Sequence, residues 1–313
     1  MSNIFFNAKQ LLEKELTEVP SLVEPILPKV GLAAVAGSSD TGKSSFLRHL
    51  ALSIILGKNK FLGFKINAEH KKVLYVATED DEDATAVLLN KAFDKKLVYE
   101  NYEGLNFLFE TENLLQVIDE SLQNEPVDCV IIDAYSDVFP GSVNEVNQVR
   151  NFLNGYKELA QKHKCLIVFL HHTAKRTDYL PPSKDHALGS QGFEGKMRVL
   201  FEIRRDWSTT NYRHLCIVKG NYLPDEYKNQ SFVLEFGDDL LFTNTNKRTD
   251  FEKLAKPKYN TEQNDSKHKY KLEAAKLKKD GKTHKQIAEA ITNKGMKISS
   301  STVGNWLKSA NMN

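Results

Sequence analysis

The chain is 313 residues long, 41% hydrophobic and 27% charged, with a net charge of +2, the make-up of a soluble globular protein with one large domain or a core domain plus a small one. No apolar run approaches the roughly 18 residues of a membrane helix, and the opening "MSNIFFNAKQ" has no signal-peptide core, so a cytoplasmic protein with no membrane partner is expected. Cys129, Cys165 and Cys216 lie far apart, each in or beside an apolar run; they read as buried reduced thiols, which excludes a disulfide framework or a cysteine-held zinc site.

Residues 6–19 have the spacing of a short amphipathic helix, followed by a proline-containing lead-in over 20–30. Apolar runs at 31–36, 73–77, 105–109, 128–133 and 166–170 read as strands, and helix-period stretches at about 43–57, 81–95, 112–124 and 145–163 separate them. Strands alternating with helices, and apolar along their whole length, predict a mostly parallel sheet with helices on both faces. Close-spaced strands at 197–204, 213–218, 231–236 and 240–243 predict an antiparallel extension. The expected domains are an α/β core over 1–245, a polar linker over 246–266 and a small all-α domain over 267–313.

The segment "GSSDTGKSS", between the first strand and first long helix, matches G-x-x-x-x-G-K-S. In that context the backbone of Gly37, Ser38, Ser39, Asp40, Thr41 and Gly42, with Ser45, turns N–H groups onto a phosphate at a helix N-terminus. Lys43 is expected to reach the β- and γ-phosphates of ATP, and the Ser44 hydroxyl to ligate Mg2+. Asp133 ends the run "DCVIID" at the carboxyl edge of a central strand, where open α/β sheets bind ligands, and is a second metal-holding candidate; a helix-capping Asp would look the same. Glu79 ends "VLYVATE" and can polarise an attacking water, while the acids after it suit the next helix's N-terminus. The two histidines of "LIVFLHHTAK" point to opposite faces of their strand; His171 reads as a packed residue and His172 as one that touches the γ-phosphate or its water.

In this order, the phosphate loop, "VLYVATEDD", "VIIDAYSDV", "HHTAK" and "LGSQGF" resemble the RecA-type ATPases, and within them the plasmid RepA helicase branch related to DnaB, an AAA family ATPase by wider grouping. The resemblance covers about the first 245 residues. It implies a RecA-like fold, ATP hydrolysis at the subunit interfaces of a homo-oligomeric ring, often a hexamer, and DNA as partner. It also implies that Lys43, Ser44, Glu79, Asp133 and His172 carry the roles above, and that Lys219 of "IVKGNYLP" reaches a neighbour's site. The family has an arginine two residues beyond that lysine; here the position holds Asn221. Arg204, Arg205 and Arg213 are the candidate substitutes.

From Phe251 onward the chain carries 14 lysines and no arginine against six acidic residues, so a basic tail follows an acidic body, a balance that favours a polyanionic partner. Within it, Ile287, Ala288 and Ile291 form one apolar face, and Val303, Trp306 and Leu307 another. The last helix turns Ser301, Thr302, Asn305 and Lys308 to its other side, with Lys285 on the helix before it. The pattern resembles the helix-turn-helix modules of recombinases and resolvases and implies DNA binding; a bundle that docks on another subunit is the alternative. Two functions follow: an ATP-dependent motor or remodeller acting on the DNA of a mobile element, with replicative helicase action its most specific form, or an ATP-gated DNA-binding regulator or loader with slow hydrolysis. A small-molecule kinase would need a lid and an acceptor pocket, and no segment supplies them.

Overall fold

A computed structural model describes residues 5–174, 176–256 and 261–310, the backbone alone at 190, 261–268 and 308–310. It divides into two compact units, Met1–Lys256 and Pro257–Asn313.

In the first unit, among the described residues, nine strands form one sheet. Their order is Phe242–Asp250, Gln230–Phe236, Tyr212–Gly220, Val199–Arg205, Gly31–Gly37, Leu166–His172, Cys129–Asp133, Val73–Ala77 and Leu105–Leu108. From Val199–Arg205 to Leu105–Leu108 all neighbours run parallel; the other three strands add antiparallel pairs. This is the expected α/β architecture. Alternate residues of the central strand feed two cores. Ala33 and Val35 pack with Phe46, Leu50 and Phe201 beneath the helix Lys43–Ile55, while Leu32, Ala34 and Ala36 pack with Val149, Leu153 and Phe169 beneath the helix Val146–His163. Two covered faces explain why these strands are apolar throughout.

Some expectations need correction. The helix over 6–19 is only Ala8–Leu12; it has an Asn7–Gln10 capping box but buries no residue, and a lone turn without tertiary packing does not propagate. Residues 20–30 form short strands, Ser21–Glu24 and Leu27–Pro28, in a small sheet with Lys60–Phe61 and Phe64–Ile66. The start of the expected linker is structured. The last strand runs on to Asp250, a 3-10 turn follows over Phe251–Leu254, and Leu254 is buried, because polar alternation on an edge strand reads as loop when its pairing partner is unknown.

The second unit contains the helices Thr261–Lys279, His284–Thr292 and Ser300–Ala310. Ala274, Ile287, Ala288, Ile291, Val303 and Trp306 form its core. A Thr283–Gln286 capping box starts the middle helix, and the Ser299 hydroxyl accepts from the Thr302 backbone N–H at the start of the last.

Candidate active site

The parallel strands end along one edge, and the side chains singled out in the sequence meet there. Gly37 closes its strand under tight constraint: a Cβ would lie 2.5 Å from the Ile203 carbonyl oxygen. Gly42 has φ +88°, in the left-handed region that favours glycine. Between them the loop wraps Lys43, whose ammonium donates to the Ser38 carbonyl at 2.9 Å, as does the Thr41 hydroxyl at 3.0 Å. Two arginines brace the loop from behind. Arg205 donates through Nε and Nη2 to the Asp40 carbonyl, at 3.1 and 2.8 Å, and Arg213 through Nε to that of Thr41, at 3.1 Å.

Neighbouring strands bring the acids and the histidine. Ala77 pairs with Asp133, and Gly37 with His172. The Thr78 backbone N–H donates to the Asp133 carbonyl at 2.8 Å, the Thr78 hydroxyl to the same oxygen at 2.9 Å, and the Ala134 N–H returns to that hydroxyl. This ladder holds Glu79, one residue on, at the strand tip. His172 Nε2 lies 3.6 Å from Glu79 Oε1. Ser39, Asp40, Gly42, Lys43, Ser44, Ser45, Glu79 and His172 line one open cleft of about 420 Å³, room enough for a polyphosphate.

The electrostatics are those of a cation-seeking acid beside a buried ammonium. Burial pushes the Lys43 pKa down, against the fields of Asp133, Glu79 and Asp40. It pushes the Asp133 carboxyl up, opposed by the Tyr75 hydroxyl, which donates at 2.5 Å to Oδ2, by Ser44 and by Arg48. The other Asp133 oxygen, Oδ1, is buried without a hydrogen-bond partner. A buried, half-satisfied carboxylate beside a serine hydroxyl fits a magnesium ion arriving with a nucleotide. Among the described residues no cluster of three or more His, Cys, Asp or Glu side chains could hold a metal by itself, so phosphate oxygens would have to complete the shell.

The two histidines separate as expected. His171 is 1% exposed, Nε2 bonds the Leu188 carbonyl at 2.7 Å, and burial lowers its pKa to about 4. His49, on the phosphate-loop helix, is likewise pushed down to about 4 by burial, and its Nδ1 accepts from the Phe242 N–H. Both stay neutral in the fold while their unfolded counterparts take up protons below about pH 6.5. Stability is therefore full above that pH and falls as the pH drops towards 4, by up to about 3 kcal/mol for each histidine. Denaturant unfolding at a series of pH values is expected to show this loss, reduced in His49→Asn.

The remaining sites lie elsewhere. Lys219 pairs in register with Leu200, near the start of a strand whose far end reaches the phosphate loop. Its ammonium donates to the Glu194 carbonyl at 2.7 Å and lies 2.9 Å from that residue's Oε1, so it is not in this chain's own cleft. Arg204 is no surface charge: it is 2% exposed and bonds Glu202, the Thr177 and Leu180 carbonyls and His186, pinning the loop after His172. In the second unit Lys285, Ser301 and Asn305 are exposed and Thr302 is half-buried; the Lys308 side chain lies outside the described residues. Sequence reasoning missed Tyr75, Thr78, Arg48 and the bracing role of Arg205 and Arg213. Arg48 is buried against Asp80, Nη1 to Oδ2 at 3.2 Å; an arginine amid an otherwise apolar helix stretch was the available signal.

A central strand ending in a phosphate loop, with an acid on a nearby strand tip, defines a P-loop ATPase of RecA-like fold. Residues 5–178, more than half of the chain, match the AAA domain family, and the chain belongs to it. Among solved structures it is similar to the ATPase domain of a DnaB-like helicase, at a TM-score of 0.56 and 12% identity over 75% of this chain and 95% of that one; at that identity the likeness is one of fold. No curated protein matches. Among the described residues no helix is long and apolar enough to cross a membrane.

Proposed function

We propose that the protein is an ATP-dependent motor acting on the DNA of a mobile element, in the manner of a RepA-like replicative helicase or remodeller. It would hydrolyse ATP at the interfaces of a homo-oligomer and hold DNA through its tail. The observation that carries the reading is the single cleft shared by Lys43, Ser44, Glu79 and His172, with Asp133 behind it. Lys43 binds the β- and γ-phosphates; the loop N–H groups orient them. Ser44 and Asp133 hold magnesium, which when bound neutralises phosphate charge. Glu79 accepts a proton from the attacking water, and His172, 3.6 Å away, orients the carboxylate and contacts the γ-phosphate. Lys219 acts on a neighbour's nucleotide. In the tail, Lys285 and Lys308 meet phosphates while Ser301, Thr302 and Asn305 face base edges.

The domain boundary matters for the test. A cut at the expected linker start would remove a strand of the core sheet, so the truncation belongs after Lys256. That truncated chain is expected to keep its basal ATPase rate and to lose duplex affinity by roughly 10²-fold or more at low salt, with a flatter salt dependence. Filter binding or fluorescence anisotropy across a salt series reads this; equal affinity with and without the tail would reject the assignment. ATPase stimulation by single strands together with unwinding of a forked duplex supports the motor. Slow turnover indifferent to DNA, with tight duplex binding, supports instead the ATP-gated regulator, which Asn221 in the finger position favours.

A further inference from the structure

We infer that Arg198 completes the phosphate cleft of a neighbouring copy, placing its guanidinium on the γ-phosphate. The inference rests on the reading of the cleft as an interface ATPase site. P-loop ATPases that turn over quickly use an arginine there, from the same chain or a partner, worth roughly 10³–10⁵ in rate.

This chain's cleft is lined by Lys43 but by no arginine, and most of its eight arginines are committed elsewhere. Arg48 is held by Asp80 and Arg204 by its buried network. Arg205 and Arg213 hold loop carbonyls from behind. Arg248 donates to the Glu226, Gln230 and Ser231 carbonyls and stacks 3.9 Å from the Phe232 ring centroid.

Arg198 differs. It is exposed, and the polar contact of its guanidinium is the Tyr222 hydroxyl at 3.3 Å. It sits beside the position where the arginine is missing, since the Asn221 N–H donates to the Arg198 carbonyl at 3.3 Å. Lys219, on the same edge, is already neutralised by Glu194.

Geometry excludes action within one chain. The Arg198 N–H bonds the Leu32 carbonyl, five residues before Gly37 on the adjacent strand, which is about 16 Å from the loop at about 3.3 Å per residue. That is more than an arginine side chain spans. The surroundings suit an interface: Arg198 and Tyr222, the latter 62% exposed, rim an open hollow of about 510 Å³ that Val19, Leu223 and Pro224 also line, and arginine beside an exposed aromatic is interface composition. Arg176 is the rival, since it lines a hollow beside this chain's own loop with Ser38 and Asp178.

In the reaction served, water attacks the γ-phosphorus and the bond from that atom to the β–γ bridging oxygen breaks. The electron pair stays on ADP, the water proton passes to Glu79, and phosphate leaves. The guanidinium stabilises charge on the transferring group.

The test uses full-length chains and magnesium ATP. Arg198→Ala is expected to lower kcat by about 10³-fold or more, with nucleotide affinity and assembly size kept. Mixing it 1:1 with Lys43→Ala, itself inactive, then restores roughly a quarter of the wild-type rate, because in a head-to-tail assembly some interfaces pair an intact loop with an intact Arg198. A merely structural role gives no such recovery. The same mixing with Arg176→Ala distinguishes the rival, because a residue acting within its own chain is not restored by a neighbour. If Arg198→Ala disturbs assembly, Arg198→Gln keeps a donor for Tyr222 and is read the same way. Wild-type turnover by the variant, or a mixture that assembles and stays inactive, overturns the inference. A wild-type chain with no ATPase activity overturns the reading of the cleft instead.

Discussion

Lys43→Ala is expected to lower ATP hydrolysis by at least about 10²–10³-fold, the loss that follows removal of one preorganised charge-stabilising donor. The wild-type ammonium is 6% exposed and sits among Asp133, Glu79 and Asp40, whose fields oppose the burial that lowers its pKa. Truncation removes the cleft's ammonium and leaves the three carboxylates facing an incoming polyphosphate, so nucleotide affinity drops together with turnover. Titration with a fluorescent ATP analogue and a steady-state phosphate-release assay measure the two losses, and a matching thermal midpoint shows that the fold survives. Full ATPase activity in this variant would reject the site.

Glu79→Gln separates chemistry from binding. The amide keeps the size of the side chain and its approach to His172 but cannot take a proton, so kcat is expected to fall by about 10²–10⁴-fold while ATP binding and nucleotide-dependent assembly persist. The Glu79 side chain is 51% exposed, so water reaches it without rearrangement of the core. Loss of nucleotide binding, or an unchanged rate, would count against a role as base. Changing Asp81 instead is expected to leave hydrolysis intact, because that carboxylate caps the helix Glu82–Ala92 by accepting from the Ala84 N–H at 2.8 Å. The acidic run thus divides between a residue at the strand tip and residues serving the helix.

Much of the site was legible because its parts lie at strand ends. An apolar run followed by a charged or polar residue marks where a strand leaves the core, which is how Asp133, Glu79 and His172 could be selected without coordinates. The carriers of the supporting contacts were not legible. Tyr75 lies within an apolar run and looks like packing, and only the pairing of its strand with Cys129–Asp133 brings its hydroxyl to Asp133. The substitutes first considered for the absent arginine were those nearest in sequence to strand ends. Burial removes Arg204 and loop bracing occupies Arg205 and Arg213, whereas Arg198, at a strand's beginning, shares an edge with Asn221.

By itself the amino-acid order determined the phosphate loop, the succession of strands and helices and the charge imbalance between body and tail, since each is a local property of spacing, backbone freedom or composition. Tertiary structure alone decided which ends share an edge, which cations are already neutralised and which remain available. Those depend on strand order and burial, and residues distant in sequence acquire a common field only when a sheet sets them side by side.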